Sequence, residues 1–496
     1  MNTVPLSHPG KLFIDGAWVD PRGGGKDLVV NPATGEAFAT APCGSVSDVE
    51  DAIASARHAF DHGPWPRLSG LERAAVLQRF HDELLARKDG FVSLLIDEAG
   101  ATAQIAEPGQ FLGPLAHLRF AIANAARPLS TSFPPVVAPH LLGGQAVNFN
   151  LLEREPVGVV AAIAGYNFPF ALAIWKVAAG VAMGNTVILK PSPFTSLLTL
   201  YIAEAAAAAG IPPGVLNIVT GDKAAAEMLT TDPRIDMVSF TGSDTVGSAI
   251  MAQAAPTLKR LLLELGGKSA MIVTEDADLD QAAIAGAFNF TLHAGQVCAI
   301  TTLQIVHNSV RQRYVEKVAA IASAIKVGDP RDPTVQMGPL IRESQRARVE
   351  RYVAEAKSAG GEMVLGGARP EGLGNGFFYK PTLFNGVDPA SPIAQDEIFG
   401  PIGVVLGFDA DEEAIALANG THYGLAGAVF AGRSDRALRI ARAMRTGAVH
   451  VNCIPAVGGD PSVPMGGIKR SGIGLELGIE GLLSYTVPKN LVFEAR

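Results

Sequence analysis

The sequence predicts an α/β fold with two doubly wound, Rossmann-like lobes and a small β arm. Short apolar runs alternate with helical patterns over most of the chain, which is typical of parallel sheets wound with helices. The alternation restarts after residue 264, which indicates a second sheet. A stretch at 128–150 is rich in Pro, Ser and Gly and then alternates, which favours a projecting hairpin.

Composition narrows the possible partners. The chain has 496 residues, of which 48% are hydrophobic and 18% charged, enough for several buried cores. The formal net charge is −8 and no run of Lys or Arg stands out, which argues against nucleic acid or an anionic membrane as partner. Three cysteines are too few for a disulfide framework, and no Cys-x-x-Cys pair indicates a metal site. With no signal-peptide pattern at the N-terminus, we expect a cytoplasmic protein.

The first lobe, assigned to residues 1–127 and 151–262, begins with helical patterns from residue 47 onward. Four stops are predicted there, at Gly63-Pro64, Gly70, Gly90 and Gly100. Apolar runs predict buried strands at 157–163, 186–189, 215–219 and 237–240. The stretch 157–189 is long enough to cross a bilayer, but its Asn, Pro, Lys and Gly residues favour a strand, a helix from Pro169 to about Gly184, and a strand.

The second lobe, assigned to residues 263–462, repeats the pattern with strands at 269–273, 303–307, 404–408 and 448–452. Cys298 lies in this lobe, after His-Ala-Gly-Gln-Val at 293–297. A thiol is a strong nucleophile once it is deprotonated, and its small and polar neighbours favour a loop open to substrate over an inert buried thiol. Cys43 and Cys453 are expected to be small buried apolar residues.

Glu264 lies 34 positions before Cys298, in Leu-Glu-Leu-Gly-Gly-Lys at 263–268. Three leucines precede Glu264, so we expect it to end a buried strand. A carboxylate there is costly unless it has a function, such as taking a proton from a thiol or from water. The alternative is a solvated or salt-bridged glutamate.

These motifs, with others in the same order, resemble the aldehyde dehydrogenase superfamily over nearly the whole chain. The other matching motifs lie at 31–36, 166–169, 190–192, 240–243, 397–401, 464–467 and 469–474. The resemblance implies oxidation of an aldehyde with NAD(P)+, in which Cys298 forms a thiohemiacetal and then a thioester. Glu264 would activate the water that releases the free acid. Relatives that acylate coenzyme A generally lack this Glu; such an enzyme, and a non-catalytic binding protein, are the alternatives.

Three further catalytic residues are implied by the resemblance. Asn167, with the Cys298 N–H, would donate to the oxyanion; from the sequence alone, an N-cap for the helix at Pro169 is equally compatible. Lys176 and Glu476 match an accessory proton relay, although they could equally form a structural ion pair.

The cofactor site is also implied by the resemblance. No Gly-x-Gly-x-x-Gly follows the first strand of the first lobe. Instead, the N-terminus of the helix that residues 242–247 open would bind the pyrophosphate. The implied cofactor residues are Ile163, Ala164, Lys190, Ser192, Gly221, Gly242, Ser243, Glu397 and Phe399. Lys190 would bind the adenosine ribose, Glu397 the nicotinamide ribose, and Phe399 would lie near the nicotinamide. Many NAD-preferring relatives have Glu three residues after the lysine, where this chain has Pro193. The charge that would repel a 2′-phosphate is missing at this position, so NADP is not excluded, although NAD is favoured.

The implied substrate pocket is apolar. Its residues are Phe168, Ala171, Leu172, Trp175, Val297, Ala299 and Met465, with Pro455 and Ala456 at the mouth, although the helical ones could simply be core. Such walls predict aliphatic, terpenoid or aromatic aldehydes rather than amino- or carboxylate-bearing semialdehydes. Residues 128–150 and 480–496, with a strand predicted at 482–487, resemble the family's oligomerisation arm, so we expect a homodimer or homotetramer.

Overall fold

The computed structural model describes residues 4–127, 129–454 and 459–495. The strands, in chain order, are β1 (Leu12–Ile14), β2 (Ala17–Val19), β3 (Gly25–Asn31), β4 (Glu36–Cys43), β5 (Thr131–Ser132), β6 (Val136–Pro139), β7 (Gln145–Pro156), β8 (Val159–Ile163), β9 (Thr186–Lys190), β10 (Leu216–Ile218), β11 (Met237–Thr241), β12 (Arg260–Glu264), β13 (Ala270–Val273), β14 (Leu303–His307), β15 (Glu362–Leu365), β16 (Thr382–Asn385), β17 (Ile402–Phe408), β18 (Ala426–Phe430), β19 (Ala448–Val451), β20 (Gly472–Ile473) and β21 (Thr486–Ala495).

Helices connect and cover these strands. They are α1 (Val46–Asp61), α2 (Gly70–Ala86), α3 (Lys88–Ala99), α4 (Ala103–Ile105), α5 (Gly113–Ala125), α6 (Pro169–Ala182), α7 (Ser196–Ala209), α8 (Lys223–Thr231), α9 (Asp244–Ala254), α10 (Leu279–Thr291), α11 (Asn308–Ser323), α12 (Glu343–Ser358), α13 (Pro392–Gln395), α14 (Asp411–Asn419), α15 (Ser434–Ala443) and α16 (Gly478–Ser484). A π-helical turn at Ala106–Leu112 leads into α5.

The first sheet has the order β2-β1-β10-β9-β8-β11-β12-β20. Its five central strands, from β10 to β12, are parallel, whereas the edge strands β1, β2 and β20 pair antiparallel. Apolar side chains from α2, α3, α5, α6 and α7 fill one core, and those from α1, α8 and α9 fill another. Helices therefore cover both faces, as in a doubly wound sheet.

The second sheet has the order β15-β16-β17-β14-β13-β18-β19 and is parallel except at its edge strand β15. Its two cores are filled by α12, α14 and α15 on one side and by α10 and α11 on the other. The predicted fold class is confirmed. The stretch 157–189 folds as β8, α6 and β9, and no helix in the described parts of the chain is long and apolar enough to span a membrane.

The arm is a separate small sheet in which β21 and β5 flank the long strand β7, and β6 also pairs with β7. The arm carries exposed apolar side chains at Phe133, Val136, Val137, Leu141, Leu142, Phe149, Val492 and Phe493. Its part in a homodimer or homotetramer stays a prediction, which light scattering of the purified protein would decide.

Two local predictions were wrong. The C-terminal strand begins at Thr486 rather than at Leu482, because Leu482 and Tyr485, three residues apart at the end of α16, pack into the first core. Gly90 does not stop a helix but lies inside α3, where a side-chain carbon would come within 2.7 Å of the Tyr201 ring. Close packing between helices, not a turn, explains this glycine.

Candidate functional site

Glu264 ends a buried strand, as predicted. It is the last residue of β12 and is 3% exposed. Among the described residues, neither of its carboxylate oxygens has a hydrogen-bond partner. An unpaired buried carboxylate is expensive, so the fold keeps a proton acceptor here at a cost in stability.

Cys298 follows a strained turn in the loop between α10 and β14. Three consecutive residues before it, His293, Ala294 and Gly295, have φ values of 50°, 54° and 73°. A side-chain carbon at Gly295 would lie 2.0 Å from the Gly400 carbonyl oxygen, so only glycine fits. Positive φ costs energy for the other two residues, and such strain is typical of functional loops.

Gln296 holds this turn in place. Its side-chain amide donates to the carbonyl oxygens of His293 (3.1 Å) and Pro339 (3.3 Å), and its side-chain oxygen accepts from the Ile341 N–H (2.9 Å). All of these groups are buried, so the bonds fix the backbone that leads to Cys298. No role was predicted for Gln296, because its partners Pro339 and Ile341 lie more than 40 residues away in the chain.

Asn167 joins the first lobe to this loop. Its Nδ2 donates to the Gln296 carbonyl oxygen over 2.9 Å, and its side chain does not cap α6. The N-cap alternative is therefore wrong. The Phe168 and His293 rings meet edge to face at 5.5 Å on the same side. The predicted oxyanion donor and the predicted nucleophile thus belong to one connected substructure.

The Gly266-Gly267 turn after Glu264 lies against the backbone of Cys298. A side-chain carbon at Gly267 would lie 2.8 Å from the Cys298 carbonyl oxygen. Burial raises the pKa of Cys298 to about 12, and the charges of Glu397 and Glu264 add to the rise. Burial, with the nearby charge of Glu476, also raises the pKa of Glu264 well above its usual value. Cys298 is therefore a thiol at neutral pH in this state of the site, and Glu264 keeps its proton to a higher pH than an ordinary glutamate does.

Lys176 and Glu476 form a buried ion pair, and Lys176 Nζ also lies 3.3 Å from Ser239 Oγ. The second Glu476 carboxylate oxygen has no partner among the described residues. Glu476 exchanges two backbone hydrogen bonds of 2.7 Å with Met465. The negative charge of Glu476 raises the pKa of Glu264, and the positive charge of Lys176 lowers it. The pair is thus both structural and electrostatically linked to Glu264.

The predicted cofactor residues of the first lobe lie where its parallel strands end. Ile163 and Lys190 are paired at the ends of β8 and β9, and the Ala164 N–H donates to the Lys190 carbonyl oxygen over 3.0 Å. Lys190 is 5% exposed, and among the described residues its ammonium bonds only the Pro191 carbonyl oxygen, at 3.4 Å. A buried cation with no carboxylate partner fits a site for the hydroxyls of a dinucleotide.

Three loops at the same edge complete this region. Ser243 caps α9, with Oγ accepting from the Val246 N–H, and the Gly242 N–H donates to the Glu264 carbonyl oxygen over 3.0 Å. Gly221 has φ of 151° and follows β10. Ser192 Oγ accepts a 3.4 Å bond from the Phe194 N–H. The positive end of the α9 helix dipole suits a pyrophosphate.

Glu397 and Phe399 come from the second lobe. Glu397 Oε1 accepts a 3.0 Å hydrogen bond from the Gly267 N–H, and burial raises the Glu397 pKa to about 7. Helix α12 holds this segment, because Gln345 donates to the Phe399 carbonyl oxygen (2.8 Å) and Arg348 to that of Glu397 (2.8 Å). Neither α12 residue was predicted, since nothing in a helical surface pattern marks such contacts.

Predicted substrate residues line one side of this region. Phe168, Leu172 and Trp175 are four and three residues apart on α6, so they share one helix face. Phe168 and Trp175 are partly exposed, as are Val297, Ala299 and Met465. Ala171 is 1% exposed and belongs to the core. Pro455 and Ala456 lie outside the described residues.

The two other cysteines differ from expectation. Cys43 is half-buried at the end of β4, and Cys453 is exposed after β19, so neither is a fully buried apolar residue. Burial and Asp27 raise the pKa of Cys43 to about 11, which keeps it a thiol at neutral pH.

A family model described as the aldehyde dehydrogenase family matches residues 18–491. The chloroplastic betaine aldehyde dehydrogenase of Beta vulgaris is 37% identical over 479 residues, covering 96% of this chain and 94% of that protein. The structure of a Mycobacterium tuberculosis aldehyde dehydrogenase complexed with NAD+ is 41% identical, with a TM-score of 0.91 and 97% of each chain covered. A mutant of aldehyde dehydrogenase C from Pseudomonas syringae, complexed with NAD+ and octanal, is 36% identical, with a TM-score of 0.92 over 99% of this chain and 98% of that one.

Proposed function

Since this chain belongs to the aldehyde dehydrogenase family, we propose that it oxidises an apolar aldehyde to the free carboxylic acid with NAD+ as cofactor. Family membership confirms the predicted enzyme class and cofactor, whereas the roles of single residues and the substrate class are proposed. A cytoplasmic location stays a prediction, which fractionation of the source cells would test.

In the first half of the reaction, the Cys298 sulfur adds to the aldehyde carbon. The thiol proton leaves to solvent, and the oxyanion of the thiohemiacetal receives hydrogen bonds from Asn167 Nδ2 and the Cys298 N–H. A bound NAD+ would supply the hydride acceptor for this carbon. The carbon is thereby oxidised and remains attached to Cys298 as a thioester.

In the second half, Glu264 takes a proton from a water molecule that attacks the thioester carbon. The carbon–sulfur bond breaks, the acid leaves, and Cys298 is regenerated. Glu264 must then release its proton, and the Lys176–Glu476 pair is the neighbouring group that changes its proton affinity. We propose that this pair passes the proton on.

The observation that carries the proposal is the hydrogen bond from Asn167 to the Gln296 carbonyl oxygen. It ties the oxyanion donor of the first lobe to the loop of Cys298 in the second. Gly267, three residues after Glu264, lies against the Cys298 backbone at the same place. Three groups from distant parts of the sequence thus meet, as acyl chemistry on a thiol requires.

The proposed substrate class is an aliphatic, terpenoid or aromatic aldehyde. Phe168, Trp175, Val297, Ala299 and Met465 are partly exposed, and none of them carries a negative charge that would pair with a cationic aldehyde. The octanal complex of the Pseudomonas syringae relative supports a straight-chain aldehyde, whereas the name of the Beta vulgaris relative points to a cationic one. The walls of this chain favour the first.

Mixing the enzyme with NAD+ and octanal is expected to give NADH and octanoic acid in equal amounts, measured by absorbance and mass spectrometry. We expect kcat/KM for octanal to exceed that for betaine aldehyde by about 100-fold, because each buried CH₂ contributes about 0.8 kcal/mol. Equal or reversed preference would show that the substrate class is wrong. Formation of octanoyl-coenzyme A after coenzyme A is added would favour the acylating alternative. If no aldehyde gives NADH, the non-catalytic alternative would be favoured.

Pro193 supplies no negative charge against a 2′-phosphate, but the charges of Asp222 and Asp27 act on the nearby Lys190. Asp222 follows β10 at the same sheet edge and caps α8, accepting from the Ala225 N–H over 3.1 Å. Burial lowers the pKa of Lys190, and the charges of Asp222 and Asp27 oppose that shift. We propose that this negative charge disfavours a 2′-phosphate and keeps the enzyme selective for NAD+.

The Asp222→Asn variant is expected to bind NADP+ about 10-fold more tightly relative to NAD+ than the wild type does, as measured by calorimetry. Asparagine is an equally good N-cap, so α8 should persist. Asp278→Asn, which changes the N-cap of α10 in the other lobe, is the matched control. An unchanged ratio of the two dissociation constants in Asp222→Asn would rule out this role.

A further inference from the structure

His117, in α5, has an unused buried acceptor. It is 5% exposed, and its Nδ1 lies 3.0 Å from the Gly113 carbonyl oxygen one turn earlier. That contact requires a proton on Nδ1, which leaves a lone pair on Nε2 of the neutral ring. Burial lowers the pKa of His117 and keeps the ring neutral, against a smaller opposite effect from the exposed Asp460. Among the described residues, nothing bonds Nε2.

Trp175, in α6, has an unused buried donor beside it. Its Nε1–H also has no partner in the described parts of the chain, and its ring centroid lies 5.4 Å from that of His117. By contrast, the buried Trp65 donates to the Val181 carbonyl oxygen over 3.1 Å. Native proteins seldom leave such groups unpaired, and one donor beside one acceptor fits a group that both donates and accepts, such as a water molecule or a ligand hydroxyl.

The position of this pair relates it to the proposed substrate pocket. Phe168 follows the oxyanion donor Asn167, and Trp175 lies seven residues further along the same face of α6. Seven residues of helix span about 10 Å. His117 and Trp175 therefore lie at the end of the apolar wall that is far from the reacting carbon.

We propose that His117 and Trp175 bind a hydroxyl group at the far end of the apolar aldehyde substrate, an inference that rests on the proposed function. A hydroxyl is both donor and acceptor, so it donates to His117 Nε2 while it accepts from Trp175 Nε1–H. An ammonium group offers no acceptor, a carboxylate offers no donor, and a methyl group offers neither. Hydroxylated aromatic or long-chain aldehydes thus satisfy both orphan atoms.

The test compares 4-hydroxycinnamaldehyde with 4-methylcinnamaldehyde, which replaces the hydroxyl with a methyl of similar size. The wild type is expected to prefer the hydroxylated aldehyde by about 10-fold or more in kcat/KM, mainly through KM. His117→Phe and Trp175→Phe each remove one partner and keep a ring, and each should bring the ratio close to one. In both variants, kcat/KM should fall much more for the hydroxylated aldehyde than for the methylated one. His81→Phe, a similarly buried histidine of α2, is the control for folding and should keep the wild-type ratio.

The outcomes separate this inference from the proposed function. If the wild type oxidises both aldehydes with equal kcat/KM, or if His117→Phe lowers both alike, the hydroxyl site is wrong while the dehydrogenase stands. If the wild type oxidises neither these aldehydes nor octanal, the proposed function itself fails. A crystal structure with 4-hydroxycinnamic acid should place the phenol oxygen between the two rings, and any other position would also overturn the inference.

Discussion

The Cys298→Ala variant is expected to form no NADH from any aldehyde, with a loss of at least about 10³-fold in the pre-steady-state burst and in turnover. The reason is that Cys298 supplies the bond to the substrate carbon, and nothing else at the site replaces it. Of the two other thiols, Cys43 lies at the end of β4 and Cys453 is exposed after β19. Stopped-flow absorbance with octanal measures both phases.

Cys453→Ala is the matched control, because this exposed thiol after β19 has no proposed role in the chemistry, and it should keep full activity. Calorimetric NAD+ binding by Cys298→Ala should be close to that of the wild type, which separates a lost nucleophile from a lost fold. A burst of normal size in folded Cys298→Ala would mean that another group attacks the aldehyde.

The Glu264→Gln variant is expected to keep the burst of NADH and to lose turnover by about 10²–10⁴-fold. Thioester formation needs the sulfur of Cys298, whereas thioester hydrolysis needs an activated water. The thioester should therefore accumulate, and intact-protein mass spectrometry should detect the added acyl group. Loss of the burst together with turnover would instead assign Glu264 to the first step.

The pH dependence gives a second measurement of Glu264. Burial and Glu476 raise its pKa, so the fraction of active carboxylate grows as the pH rises from 6 towards that pKa. Wild-type turnover should increase over this range, and the increase should be absent from the residual activity of Glu264→Gln. Glu98→Gln is the control: Glu98 is also buried, but it accepts from the Leu197 and Leu198 N–H groups at 2.9 and 2.8 Å. It should lose stability and keep the wild-type pH profile.

Local patterns were sufficient to predict most central strands of the two sheets, but not β16, β18 or the edge strands β1, β2, β15 and β20. Each central strand is a short apolar run, because both of its faces are covered by helices, and such runs are visible without any partner. Gly90 and Leu482 were misread because their roles depend on a ring and a core contributed from elsewhere. The sequence does not distinguish a glycine that is needed for close packing from one that is needed for a turn.

The site was predictable to a similar degree. Cys298, Glu264 and Asn167 lie in motifs that resemble a family, and the strand end at Glu264 follows from three leucines. Gln296 and His117 could not be assigned, because their importance rests on contacts across the fold and on unpaired atoms. Neither kind of information is present in one sequence.

The strained turn before Cys298 and the carboxylates near it also bear on chemical damage. Peroxide oxidises a thiolate much faster than a thiol, and overoxidation beyond the sulfenic acid is generally irreversible. Because burial and the charges of Glu397 and Glu264 keep the sulfur protonated, an idle molecule offers oxidants little to attack. The same environment that slows the first chemical step in the resting protein therefore protects the Cys298 sulfur during oxidative stress.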